Sequence, residues 1–113
     1  MPSFDSLKGR REFTLVMRKG RIASTRALTV YAFAPRGRAR SGVPKLGVVI
    51  TKKVGNAVVR NLLRRRCKAL FAGFASESDP RWFLVQCKPE AARVPFAALR
   101  EQLLPALEAA ASR

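Results

Sequence analysis

Residues 46–70 read LGVVITKKVGNAVVRNLLRRRCKAL, and the fold is read outward from this stretch. Residues 46–51 are a nearly continuous apolar run, too short for a helix and without alternation, which fits a strand buried in a sheet interior. Val54, Gly55 and Asn56 make a turn, and the Asn56 side chain is a good helix N-cap. A helix is expected from about Ala57 to Phe74. Residues 82–87, WFLVQC, form a second apolar strand. Strand, helix and strand in that order predict a βαβ unit.

On a helical wheel, Val59, Leu63, Cys67, Leu70 and Phe74 share one arc, with Leu62 extending it. The far side carries Asn61, Arg64, Arg65 and Lys68, flanked by Arg60. Arg66 falls near the apolar edge and must reach outward along its stem. One face therefore packs on the sheet and the other is a cationic ridge. Guanidinium groups donate to phosphate oxygens as planar forks. Asn61 adds a neutral donor and acceptor suited to a base edge or a 2′-hydroxyl. The helix N-terminus after Asn56 offers free N–H groups, and Lys52 and Lys53 stand just before it. A cationic helix face is also compatible with plain solvation. Yet no acid occurs between residues 13 and 76, whereas solvated faces usually mix both signs.

Upstream, Ser6 is read as the cap of a first helix whose Leu7, Phe13, Val16 and Met17 fall on one stripe, with Gly20 as its stop. Residues 27–33, ALTVYAF, predict a strand with Leu28 and Val30 facing one way and Tyr31 and Phe33 the other. Residues 35–44 are a basic loop by composition. Downstream, Pro95 suits the start of a last helix whose stripe is Phe96, Leu99, Leu103 and Leu107, with Pro105 expected to kink or restart it.

The chain's 23 Lys and Arg outnumber its 7 Asp and Glu, a formal net charge of +16 over 113 residues. The excess lies within residues 1–71, where Asp5 and Glu12 are the only acids. Such a field attracts a polyanion: nucleic acid first, an anionic membrane surface second. Length and a 48% hydrophobic content fit one folded domain. Cys67 and Cys87, without any histidine, cannot complete an ordinary zinc site; they read as small buried hydrophobes in a reducing compartment. No secretory signal pattern or bilayer-length apolar run is visible, so a cytoplasmic protein is expected. A nuclease acting by itself would want clustered carboxylates or a histidine, and the basic region supplies neither. A structural RNA binder remains open from composition alone.

The stretch 46–70 closely resembles the signature of the bacterial ribonuclease P protein family, in which a hydrophobic strand leads into Lys-Lys, Gly-Asn-Ala-Val and an Arg-Asn-rich helix. Phe13, the Arg18-Lys19-Gly20-Arg21 turn and the strand with Tyr31 stand in the order that family shows, so the resemblance spans most of residues 7–88. It implies an α/β two-layer sandwich, a mainly antiparallel sheet packed with three helices, and a left-handed βαβ crossover, within one RNA-binding domain over residues 1–113. It implies a protein subunit that assists a catalytic RNA in cutting the 5′ leader from precursor tRNA, with Mg²⁺ held mainly by RNA phosphates and no catalytic or metal-ligating residue of its own. Its partners would be that RNA and precursor tRNA, with no membrane and no protein partner required. The RNA subunit would contact Arg60, Asn61, Arg64, Arg65 and Lys68, joined by Lys52, Lys53 and Asn56; the leader would lie in a cleft with Phe13, Met17 and Tyr31. On sequence alone, residues such as Phe13 and Tyr31 are more often core than platforms for a ligand. The chain departs from the family pattern at Leu62, where a basic residue is usual, at Ala69, where Glu is common, and at Met17, often aromatic.

Overall fold

A computed structural model describes residues 4–35, 43–75 and 80–112. The chain runs through β1 (Asp5–Ser6), α1 (Gly9–Lys19), β2 (Arg21–Ser24), β3 (Leu28–Phe33), β4 (Lys45–Ile50), α2 (Ala57–Phe74), β5 (Trp82–Cys87), a 3-10 turn (Pro89–Ala92) and α3 (Phe96–Ala111). The expected strand–helix–strand unit is β4–α2–β5. Most of the basic loop, residues 36–42, lies outside the described residues.

The five strands form one sheet in the order β1-β4-β5-β3-β2. It is mixed: β4 pairs in parallel with β1 and β5, while β3 pairs antiparallel with β5 and β2. Helices α2 and α3 cover one face. Their Leu63, Cys67, Phe71, Leu99, Leu103 and Leu107 bury against Leu28, Val30, Leu46, Phe83 and Val85. Helix α1 crosses part of the other face, where Leu7 and Val16 bury against Trp82 and Leu84. The alternation expected in β3 is realised: Leu28 and Val30 belong to the larger core, Tyr31 and Phe33 to the smaller one. The two thiols are free, buried and 3.8 Å apart across the α2–β5 contact. Contact with Cys87, and then burial, pushes the Cys67 thiol well above the ordinary range, so it stays protonated.

Three expectations are corrected. Ser6 does not cap α1; it is a strand residue opposite Leu46, because the N–H groups of Asp5 and Leu7 donate to the Pro44 and Leu46 carbonyls (2.9 and 3.0 Å). The helix starts later, with Lys8 at the N-cap, and the Glu12 carboxylate reaches back to accept from the Lys8 N–H at 2.7 Å. Pro105 does not restart the last helix, which runs unbroken from Phe96 to Ala111. Phe96, placed in the stripe with Leu99, Leu103 and Leu107, is 40% exposed while those leucines are sealed. It occupies the first turn, where the neighbour is the Arg66 side chain of α2. Gly20 does end α1, its N–H donating to the Val16 carbonyl at 2.8 Å.

Candidate nucleic-acid interface

The cationic surface begins where β4 ends. A turn closed by the Val54 N–H donating to Thr51 (3.1 Å) leaves Lys52 and Lys53 exposed and buries Val54. Gly55 follows because a Cβ there would stand 2.8 Å from the Val59 side chain. Asn56 caps α2: its Oδ1 accepts from the Val59 N–H at 3.0 Å. One acceptor site of that oxygen is used on the helix, and the exposed Asn56 keeps its amide NH₂ for a partner.

Along α2, Asn61, Arg65 and Lys68 are exposed, while Arg60, Arg64 and Arg66 are half-buried. The buried arc is centred differently from the expected one. Phe71 is fully buried and edge-packed against Phe4 and Phe83 at ring distances of 5.0 and 5.2 Å. Leu62, expected to extend the apolar arc, is 37% exposed. This rotation brings Arg64 beside Arg60 on the flank of the ridge and leaves Arg65 near its crest. Arg64 donates Nη1–H to Asn61 Oδ1 (3.3 Å), tying two ridge residues together. The buried Nε of Arg60 has no acceptor among the described residues. No ridge cation forms an ion pair with a described residue. The ridge is thus an uncompensated array of donors, which is what a polyphosphate surface satisfies.

The second surface is on the other face of the sheet. Phe13 lies half-buried over Gly47, where a Cβ would come within 2.8 Å of its ring, so the glycine lets α1 settle onto β4. Met17 is 43% exposed. Tyr31 is half-buried and its hydroxyl donates to Gln86 Oε1 at 3.4 Å. Phe13 and Tyr31 both pack against the smaller core between α1 and the sheet, while Met17, one turn after Phe13 on α1, points more to solvent. Strand register adds residues that sequence reading missed. Ile22 stands opposite Tyr31 and is 61% exposed; Ser24, Thr29, Gln86 and Val49 fall in the next row across the sheet. Lys88 follows β5, its ammonium donating to Ser24 Oγ (2.9 Å) and the Thr25 carbonyl (2.6 Å). The same end of the sheet carries the Lys52–Lys53 turn, so basic side chains border the open floor. A separate hollow of about 570 Å³, at the other end between Lys19, Arg21, Phe33 and Arg81, contains none of the expected site residues.

A family model described as Ribonuclease P matches residues 1–111. The chain belongs to that family. The ribonuclease P protein component of Clavibacter michiganensis is 35% identical over 97 residues, covering 85% of this chain and 83% of the relative. That of Thermobifida fusca is 32% identical over 108 residues, covering 91% and 74%. The solved RNase P protein of Staphylococcus aureus matches with a TM-score of 0.82 at 22% identity over 98% of this chain and 97% of its own. That of Thermotoga maritima matches at 0.76 and 24% identity over 93% and 96%. At these identities the structural likeness carries the fold: three helices on a five-stranded mixed sheet. Membership in the ribonuclease P family brings RNA binding, tRNA processing and partnership with the ribonuclease P RNA. Among the described residues no helix is long and apolar enough to cross a membrane.

Of the two acids in the basic half of this ribonuclease P family member, Glu12 serves the fold. Partial burial would raise its carboxyl, but the Lys8 N–H and the Lys45 ammonium (3.2 Å) outweigh that and hold it below the usual value. Lys45 also lies 4.9 Å from the centre of the Trp82 ring. A depressed carboxyl stabilises the fold at neutral pH and loses that contribution as pH falls through its folded value. Glu12→Gln is therefore expected to lower stability at pH 7 by at most about 1 kcal/mol, given solvent screening. The gap should close as pH drops from the ordinary carboxylate range through the lower folded value. Urea midpoints measured from pH 7 to 3 check this; a gap undiminished in acid would mean the carboxylate charge is not what matters.

Proposed function

We propose that this chain binds the ribonuclease P RNA along the α2 ridge and the Lys52–Lys53 turn, and holds the 5′ leader of precursor tRNA against Phe13, Met17 and Tyr31, so that the RNA removes the leader. The RNA and Mg²⁺ bound mainly by its phosphates and those of the substrate carry out the hydrolysis; this chain supplies docking and substrate selection. One observation carries the reading: Arg60, Arg64, Arg65 and Lys68, with Asn61, line a helix whose opposite face is sealed in the core, and no described acid neutralises them. Such a ridge matches phosphates spaced along a folded RNA backbone. The cleft supports the second half, since partly open aromatic and thioether side chains can stack on unpaired bases.

Reconstitution tests both halves. Added to a bacterial ribonuclease P RNA at low Mg²⁺, the chain should restore 5′ maturation that the RNA alone performs poorly. Cleavage by the protein without RNA would overturn the assignment. Tyr31→Ala is expected to weaken precursor tRNA binding by about tenfold relative to mature tRNA, the scale of one lost base stack, with RNA-subunit affinity preserved. Equal losses on both tRNAs would instead make Tyr31 a core residue.

A further inference from the structure

The exposed ring of Phe96 has a neighbour that gives it a use. The Arg66 guanidinium carbon lies 5.7 Å from the ring centre, so a planar cation and an aromatic ring sit together at the start of α3. One turn before Arg66 on the same flank of α2 is Leu62, 37% exposed, and one turn before that is Val58, 77% exposed. Three of the five large exposed hydrophobic side chains among the described residues thus fall on one strip, which ends in the ring–guanidinium pair. The other two, Met17 and Ile22, belong to the cleft side. Isolated surface hydrophobes are ordinary; a contiguous strip running beside Arg65 at the crest of the ridge is a surface with a direction.

The charge around the strip selects its occupant. Helix α2 contains no acid, and the chain carries a net +16. A second copy of this chain would bring the same positive field against Arg65 and Arg66. An unpaired nucleotide fits both features: its base has an apolar face for the ring, and its phosphates meet the flanking guanidinium groups. We infer that Phe96 and Arg66 form a stacking platform for an unpaired base of the RNA bound along α2, approached across Val58 and Leu62. This inference rests on the RNA-docking role proposed above and adds a base-contacting element to a ridge otherwise read as contacting phosphates. It also gives the Leu62 departure a place, as apolar surface leading to the platform.

The test compares Phe96→Ala, Phe96→Leu and Phe96→Tyr in the full chain, titrated onto ribonuclease P RNA over a range of salt, with thermal unfolding of each variant alongside. Loss of one base stack should weaken Phe96→Ala and Phe96→Leu by about tenfold. The slope of log affinity against log salt should not change, because no cation is removed. Phe96→Tyr should bind within about twofold of the parent, since the aromatic face is kept. If the parent binds and Phe96→Ala binds equally well, the platform is wrong while the ridge stands. If the parent does not bind the RNA, both fall. Retained affinity in Phe96→Leu would show simple apolar contact and overturn stacking. Unchanged RNA affinity with loss of self-association in Phe96→Ala would assign the strip to a second copy instead.

Discussion

Replacing Arg64, Arg65 and Lys68 together by Ala is expected to weaken binding to the ribonuclease P RNA by about a hundredfold at moderate salt, and to flatten the salt dependence by a slope of about two to three. The reasoning starts from what these side chains do in the free protein. Arg65 and Lys68 are exposed, and Arg64 reaches only Asn61 on the same surface. None is held by an acid among the described residues, so little folding energy is lost with them. Their contribution appears when phosphates displace counterions, and a change in slope reports that release directly. Removing Arg64 also frees the Asn61 carbonyl. The triple variant should therefore unfold near the parent's temperature while binding weakly. Unchanged affinity and slope would remove the ridge from the RNA interface and with it the proposed function.

Phe71→Ala carries the largest expected effect on stability, a loss of about 3–5 kcal/mol. Its ring is fully buried between Phe4, Phe74 and Phe83, at centroid distances of 5.0, 6.0 and 5.2 Å. Truncation leaves a cavity at the place where α2, β5 and the N-terminal segment meet. Since domains of this size are stable by roughly 5–15 kcal/mol, the variant should sit close to its unfolding threshold. RNA binding should fall with it, because the ridge is the outer side of the same helix. Urea denaturation gives the number. A variant within about 1 kcal/mol of the parent would mean that the cluster collapses to fill the space.

Phe71 also shows where sequence reading stopped. The wheel set the buried arc of α2 by Val59, Leu63, Cys67, Leu70 and Phe74 and left Phe71 unplaced. A period of 3.6 gives directions about one axis, but it does not say how far the sheet, Phe4 or α3 extends around that axis. The same gap misplaced Phe96. Its spacing from Leu99 and Leu103 is right for burial, yet in the first turn its neighbour is the half-buried Arg66. Ser6 failed for a related reason. Its residue type favours a cap, but pairing with Leu46 fixes the backbone as strand, and that pairing joins residues 40 positions apart.

The alternation in β3 put Tyr31 and Phe33 on one face, and the helical stripe grouped Phe13 with Met17, but only the family resemblance joined Phe13, Met17 and Tyr31 as a cleft. Ile22, Thr29, Gln86 and Lys88 entered only through register, since one residue of slip would turn each of the strand positions to the other face.

By itself the sequence determined the β4–α2–β5 unit, the one-sided charge of α2 and the presence of a polyanion-seeking surface, because apolar period, capping and charge run are written locally along the chain. Tertiary structure alone decided which flank of that helix is sealed, which side chains share the floor beside α1, and that Phe96 meets Arg66 instead of the core. Those depend on contacts between distant segments, whose geometry is set by the packing of the whole sheet and not by any segment's own pattern.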